Sequence, residues 1–197
     1  MTRLTNRQGY SLLELMMGLA LSVTLSAAAV PEYLATVDDA RARGAAHHIA
    51  AQLQRARMAA VLRSAMVGVR FTQSSNGYSY AVYVDGNGNG ILTRDIQRGV
   101  DRPIVAAERL PDQFAGVEFG AIPGLPPVDP GGTAPGTDPI RLGSGNIASF
   151  SALGTSSSGT VYIRSRRDAQ YAVRIFGETG RTRMWKFETR TGQWRQL

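Results

Sequence analysis

The chain has 197 residues, of which 43% are hydrophobic, and this is enough for one domain with a buried core plus an appendage. It contains no cysteine, which excludes disulfides, thiol chemistry and cysteine-based metal sites. The formal net charge of +7 favours acidic partners such as nucleic acid or anionic lipid, although an arginine-rich genomic composition accounts for the charge equally well.

The N-terminus combines a short basic segment, residues 1–9, with an apolar segment, residues 10–30, that is long enough to span a bilayer as a helix. A secretory signal peptide begins in the same way, and the alanines from Ala27 onward could form its cleavage site. Glu14 argues against that interpretation. A carboxylate inside an apolar span costs roughly 2.5–3.5 kcal/mol, and a disposable signal has no use for it.

The run Gly9-Tyr10-Ser11-Leu12-Leu13-Glu14 resembles the prepilin peptidase site of type IV pilins and of type II secretion pseudopilins. The resemblance implies cleavage between Gly9 and Tyr10, N-methylation of Tyr10 and retention of the apolar helix. It also implies that Glu14 pairs with the N-terminal amine of a neighbouring subunit, which would fix the axial register during assembly. Pro31 matches a helix-bending proline of the family, and we expect a kink or local melting there.

The alanine-rich and arginine-rich stretch after Pro31 continues the helical pattern to about Ser64. Its apolar positions at helical spacing are Val37, Ile49, Leu53, Ala56 and Ala60. We therefore predict a leader at 1–9, a transmembrane helix at 10–30, an amphipathic helix at 31–65 and a β-rich domain at 66–197.

The β-rich part shows β-branched and aromatic runs separated by turn residues. Strands are predicted at Val67–Thr72, Tyr78–Val84, Gly116–Phe119, Gly159–Ser165, Gln170–Phe176, Thr182–Glu188 and, as an edge strand, Gln193–Leu197. Ser74–Gly77 is a hairpin turn between the first two. The segment 121–146 is dense in glycine and proline and is predicted to be an exposed loop or an insertion.

The C-terminal half resembles the GspH/FimT family of pilin-like proteins. The resemblance is carried by Phe150, Ser156–Ile163, Tyr171–Val173 and Thr179–Arg183. It implies an α+β fold in which a long N-terminal helix, transmembrane in its first half and amphipathic in its second, packs on a C-terminal antiparallel β-rich domain.

Gly180-Arg181-Thr182-Arg183 is the candidate binding site. It is similar to a Gly-Arg-x-Arg motif that FimT-like minor pilins use to bind DNA for uptake. Residues 160–197 hold nine basic and three acidic side chains, a local net charge of +6, and we include Lys186 in the candidate site. Trp185 and Trp194 could stack on bases. The alternative is an ordinary turn with solvated arginines.

A second candidate is the run Asp85-Gly86-Asn87-Gly88-Asn89-Gly90, whose alternating oxygen ligands match the first half of a calcium loop. The closing ligand would fall at Ile96, and Asp95 is one residue early, so the pattern favours a turn over calcium binding by Asp85, Asn87 and Asn89. The sequence lacks nucleophile-elbow, Walker and zinc-protease motifs. We expect no catalytic activity, metal or cofactor.

The first hypothesis is a FimT-like minor pilin of a type IV pilus that binds extracellular DNA. The alternative is a GspH-like pseudopilin of a type II secretion system, with other pseudopilins in a tip complex and secreted cargo as partners. Both imply prepilin peptidase processing and single-pass insertion in the bacterial inner membrane with a periplasmic C-terminal domain, before entry into a filament. A third hypothesis is a secreted β-rich binding domain with a removable signal.

Overall fold

The structure, a computed structural model, describes residues 9–143 and 145–197, so most of the predicted leader lies outside the described residues. One long helix, α1, spans Leu12–Arg63. The chain divides into two compact units, one ending at Val37 and the other comprising Asp38–Leu197. The second unit holds the strands, and the two units are described separately below.

The start of α1 is set by a hydrogen bond from its first turn. The backbone N–H of Glu14 donates to Ser11 Oγ at 3.2 Å, so Ser11 caps the helix. A serine followed three residues later by glutamate is the sequence of a capping box. Part of the Gly9–Glu14 run therefore has a local structural role, whatever else Glu14 does.

Pro31 lies inside α1, which continues through it without a break. The sequence predicted either a kink or local melting at Pro31, and local melting does not occur. The alanines that precede Pro31 are the best helix formers, and proline removes only one backbone hydrogen bond from a helix of 52 residues.

The part of α1 that belongs to the second unit is amphipathic, as predicted. Its buried apolar residues recur every three or four positions: Ala42, Ala45, Ala46, Ile49, Leu53, Ala56 and Ala60. Most of them are alanines, which let the helix backbone approach its neighbours closely. Gly44 extends this small-residue surface, because a Cβ there would lie 3.1 Å from Cε1 of Phe114.

The described residues of the second unit form two antiparallel sheets and two short helices. The strands are β1 Val67–Ser74, β2 Gly77–Val84, β3 Arg102–Glu108, β4 Val117–Phe119, β5 Ile140–Arg141, β6 Ile147–Phe150, β7 Gly159–Ser165, β8 Gln170–Phe176, β9 Arg181–Glu188 and β10 Gln193–Gln196. The helices are α2 Thr93–Gln97 and α3 Leu110–Gln113. The first sheet has the order β3-β2-β1-β6, and the second has β10-β9-β8-β7-β4, with β5 also paired to β7. The α+β fold class is confirmed.

The first sheet is built on the predicted hairpin. Ser74 pairs with Gly77, so the turn between β1 and β2 contains two residues, and Gly77 has a φ of +96°. Strand β3 was not predicted. It begins with Arg102-Pro103, and proline is tolerated in a sheet only at an edge, which is where β3 lies.

The segment 121–146 is less exposed than its glycine and proline content indicates. It contains β5 and buries Leu125 and Val128 against Tyr162 and Ala172 of the second sheet. Buried Ile140 joins the main core from the same segment. The segment therefore covers part of the outer face of the second sheet, the face turned away from α1, because apolar side chains on that face need a cover.

The main core is a single cluster that joins α1 to both sheets. From the first sheet it includes Phe71 and Tyr80, and from the second Val161 and Ile175. The rings of Phe71 and Phe119 meet edge to face at 5.3 Å, which is a favoured aromatic geometry.

A half-buried hydrogen-bond chain joins α1 to the edge of the first sheet. The Tyr80 hydroxyl donates to Glu108 Oε2 at 2.6 Å, so its oxygen accepts the Nε2–H of His48 at 2.7 Å. Burial lowers the pKa of His48 below its ordinary value of 6.5; the negative charge of Glu108 opposes this effect and Arg55 adds to it. His48 is therefore held neutral near pH 7.

His48 makes the domain lose stability in mild acid. The unfolded chain binds the imidazole proton more tightly than the folded chain does, so this contribution is complete above pH 6.5 and declines as the pH falls below it. We expect His48→Gln to reduce the fall in thermal midpoint between pH 7.5 and 5.5, measured by near-ultraviolet circular dichroism on the full chain in detergent. His47→Gln is the matched control, because His47 is exposed. An equal fall in thermal midpoint for the unchanged chain and both variants would show that His48 is not the source of the acid sensitivity.

Candidate functional site

The first candidate surface is the apolar half of α1. Its large apolar side chains are exposed, with Leu12 at 78% and Leu13 at 69%, and Tyr10 just before the helix is also 78% exposed. The helix is long and apolar enough to cross a membrane, although a signal sequence meets the same criteria of length and composition. An apolar surface of this extent requires a cover from lipid or from other subunits.

The second candidate surface begins at the turn before β9, where Gly180 has a φ of +60°. A Cβ at this position would lie 2.5 Å from the carbonyl oxygen of Gly154 and 2.8 Å from Arg57 Nε. Gln54 on α1 donates to the Gly180 carbonyl at 3.4 Å and to Thr182 Oγ1 at 3.0 Å. Gly180 therefore shapes the turn and anchors it to α1, and the arginines that follow carry the charge.

Arg181 and Arg183 are both exposed and project from the same face of β9, because alternate residues of a strand share a face. Arg183 donates to Gln196 Oε1 at 3.1 Å, and its guanidinium lies 5.7 Å from the centre of the Phe176 ring. Within the described residues neither arginine forms an ion pair. Both line a shallow depression of about 450 Å³, together with Ser158, Phe176, Gly177, Glu178 and Thr179.

Lys186 does not join this surface, which corrects the predicted set. It is an odd number of residues from Arg181 and Arg183 along β9, so it lies on the opposite face. There Lys186 Nζ pairs with Asp39 Oδ1 on α1 at 2.7 Å, and the same oxygen accepts the Tyr171 hydroxyl at 2.9 Å. A lysine that neutralises a half-buried carboxylate of its own chain holds α1 on the sheet.

The two tryptophans are also committed to the fold. Trp185 and Trp194 are half-buried. They pack against the cluster of Leu125, Val128, Tyr162 and Ala172 beneath segment 121–146. Trp194 Nε1 donates to the carbonyl of Pro126 at 3.0 Å. The contacts of both rings within the fold therefore reduce the ring surface on which the predicted stacking of bases depends.

The calcium-like run forms a turn that uses its own oxygens. Asp85 accepts the backbone N–H groups of Asn87 and Gly90 at 3.0 and 2.7 Å, and the Asn89 side chain donates to Asp95 Oδ2 at 3.0 Å. Burial alone would raise the pKa of Asp85, but these N–H bonds outweigh it and lower the pKa. In the ranges 9–143 and 145–197, no three His, Asp or Glu side chains form a group suited to a metal ion.

A long helix with an exposed apolar half, joined to an antiparallel β domain, is the architecture of pilin-like proteins. The family described as type II transport protein GspH matches residues 45–179, more than half of the sequence, and the chain belongs to this family. Its members are structural pilin-like subunits that associate in a filament. Comparison with curated proteins and with solved structures gives no significant match. The Gly9–Glu14 run and the arginines after Gly180 both lie outside the matched residues.

We expect Gly180→Ala to destabilise the domain by about 2 kcal/mol, because a left-handed backbone and a clash with a carbonyl combine at this position. The thermal midpoint of the full chain in detergent should fall by about 4–8 °C. Gly192→Ala is the matched control: Gly192 also has a positive φ, of +67°, but a Cβ added there would meet no atom within 4 Å, so the loss should be smaller. Equal losses would show that the close approach to Gly154 does not matter.

Proposed function

We propose that the chain is a minor pilin or pseudopilin, anchored in the bacterial inner membrane by the apolar half of α1, with its β domain in the periplasm. The observation that carries the proposal is the exposed apolar surface of α1, which begins at Leu12, shortly after Gly9 and the exposed Tyr10. A signal sequence would be discarded, whereas a pilin keeps this helix to pack against other subunits.

Assembly would use Tyr10 and Glu14. Cleavage after Gly9 would leave a free amine on Tyr10, four residues before Glu14 and two residues before the start of α1. Glu14 is exposed, so its carboxylate is open to the amine of a neighbouring subunit. Such a pair in an apolar surrounding stabilises one axial register and penalises the others. Pro31 remains the proposed point of helix adjustment during assembly.

The finer proposal is a FimT-like role in DNA uptake. It is supported by two exposed guanidinium groups on one face of β9, Arg181 and Arg183, that lack a carboxylate partner among the described residues. Guanidinium groups fork onto phosphate oxygens, and contacts with phosphates bind DNA without reading its sequence. Binding of this kind is weak and strongly dependent on salt.

The second candidate is a pseudopilin of a type II secretion system, and the description of the matched family favours it. Its partners would be other pseudopilins of a tip complex and secreted cargo. Neighbouring genes for secretion would support this role, and neighbouring genes for pilus biogenesis or competence would support the first.

When the chain is produced together with a prepilin peptidase, we expect the mature protein to start at Tyr10 with a methylated amine. Mass spectrometry of the purified N-terminal peptide checks this. Production without the peptidase is the control and should yield a chain that retains residues 1–9. A mature protein starting near Val30 would exclude the pilin proposal, because the anchor would then be a removed signal.

For the double variant Arg181→Ala with Arg183→Ala, we expect DNA binding by the full chain in non-ionic detergent to weaken about tenfold. This follows because each exposed ionic contact that is lost contributes about 0.7 kcal/mol to binding. The slope of log affinity against log salt should fall by about 2. Fluorescence anisotropy of a labelled DNA duplex at low salt measures both quantities.

The matched control is Arg98→Ala with Arg102→Ala, which removes the same charge from two exposed arginines at and beside β3, in the other sheet. This control should change affinity little. Equal effects of the two double variants would reduce the interaction to net charge and contradict a site at β9.

A further inference from the structure

The register of the second sheet places three arginines in one row across four strands. Arg141 on β5 pairs with Thr160 on β7, Thr160 pairs with Arg174 on β8, and Arg174 pairs with Arg183 on β9. Directly paired residues of antiparallel strands project from the same face. With strands about 4.8 Å apart, the row is about 15 Å long. We refer to Arg141, Arg174 and Arg183 as the arginine row.

The arginine row has fewer acidic partners than positive charges within the described part of the chain. Like charges directly opposite each other destabilise a sheet, and here Arg174 and Arg183 are opposite each other. The Phe176 ring lies near both guanidinium groups, with its centre 5.8 Å from that of Arg174 and 5.7 Å from that of Arg183. Asp129 is the carboxylate that pairs with the row, through Arg174 Nη2 at 2.5 Å. One negative charge thus faces three positive ones.

Arg174 is held partly out of water. It donates from Nη1 to Thr160 Oγ1 at 3.3 Å, and its Nε is buried without a hydrogen-bond partner among the described residues. A depression of about 210 Å³ beside it is lined by Asp129, Thr133, Arg141, Thr160 and Arg174, with four further residues. Arg183, directly opposite Arg174, lines the depression that also contains Arg181. Four arginines, Arg141, Arg174, Arg183 and Arg181, therefore lie on this face of the sheet, and Asp129 is paired with one of them.

We propose that the arginine row extends the DNA site beyond Arg181 and Arg183, and that Asp129 occupies the place of a phosphate until DNA displaces it. This inference rests on the proposed binding of DNA. A DNA strand carries a charge about every 3.4 Å along a duplex axis, so a linear row of about 15 Å fits several successive phosphates. Asp129 is suited to displacement because its side chain is 41% exposed, so its carboxylate can return to water when a phosphate takes its place.

Asp129→Asn and Arg141→Ala test the proposal in the full chain, in non-ionic detergent with a labelled DNA duplex. We expect Asp129→Asn to tighten binding about threefold to tenfold and to raise the salt slope by about 1, because Arg174 becomes available to a phosphate. Arg141→Ala should weaken binding about threefold and lower the slope by about 1. Thermal midpoints of both variants, measured alongside, confirm that the domain is folded.

Glu118→Gln is the matched control for Asp129→Asn. Glu118 accepts Arg164 Nε and Nη2 at 3.0 and 2.8 Å, so its substitution also removes one carboxylate and frees one arginine of the second sheet. Arg164 lies four residues along β7 from Thr160, away from the row. Both variants raise the net charge by one, and a gain confined to Asp129→Asn supports a site at the row.

The outcomes separate this inference from the proposed function. If DNA binding responds to Arg181 and Arg183 but not to Asp129 or Arg141, the row is overturned and the proposed site stands. If binding responds to Asp129 and Arg141 alone, the site at Arg181 and Arg183 is overturned and the row is reduced to Arg141 and Arg174. Equal gains for Asp129→Asn and Glu118→Gln also overturn the row, and failure of every protein to bind overturns both proposals.

Discussion

The close approach of the alanine-rich face of α1 to two sheets is the constraint on which the second unit depends. Ala42, Ala45 and Ala46 are fully buried, and Gly44 beside them has Phe114 almost in contact with its backbone. Side chains this small bring the helix backbone against the sheets and place the larger core residues on the strands. One cluster then joins α1, the first sheet and the second sheet, so each sheet has its inner face covered by the same element. The outer face of the second sheet is left to segment 121–146 and to solvent.

Because side chains alternate along a strand, some charged residues of the second sheet face α1 and others face outward. On the inner side, Lys186 and Tyr171 both bind Asp39 of α1. Burial raises the pKa of Tyr171, and its hydrogen bond to Asp39 raises it further, so this link between helix and sheet persists at any pH near neutral. On the outer side of the same strands, Arg174 and Arg183 face each other, and Asp129 from a loop is their acidic partner among the described residues. The inner charges hold the fold together, whereas the outer arginines are like charges placed opposite each other, and the proposed binding role rests on this contrast.

The two ends of the chain lie outside the family match, and each has its own physical signature. At the N-terminus, a capped helix exposes a long, mainly apolar surface, and burial of this surface against lipid or protein is favourable. At the C-terminus, a glycine in a left-handed conformation starts a strand that displays arginines. The matched region, residues 45–179, includes β8, the strand against which β9 pairs. Family membership thus accounts for the scaffold, and the proposals on anchoring and DNA concern what is attached to it.

Local pattern was enough to predict the long helix, the hairpin of β1 and β2, the strands β7 to β10 and the α+β class. Helical spacing, β-branched runs and turn residues all act within a few positions, so the sequence carries them directly. Pairing between distant segments became visible only in the folded chain. Strand β3 exists because an edge position accepts Pro103, and segment 121–146 buries Leu125 because a distant apolar face needs a cover. The structure removed Lys186 from the candidate site and showed the arginine row. Strand register determines which side chains share a face, and register depends on contacts between residues far apart in the sequence.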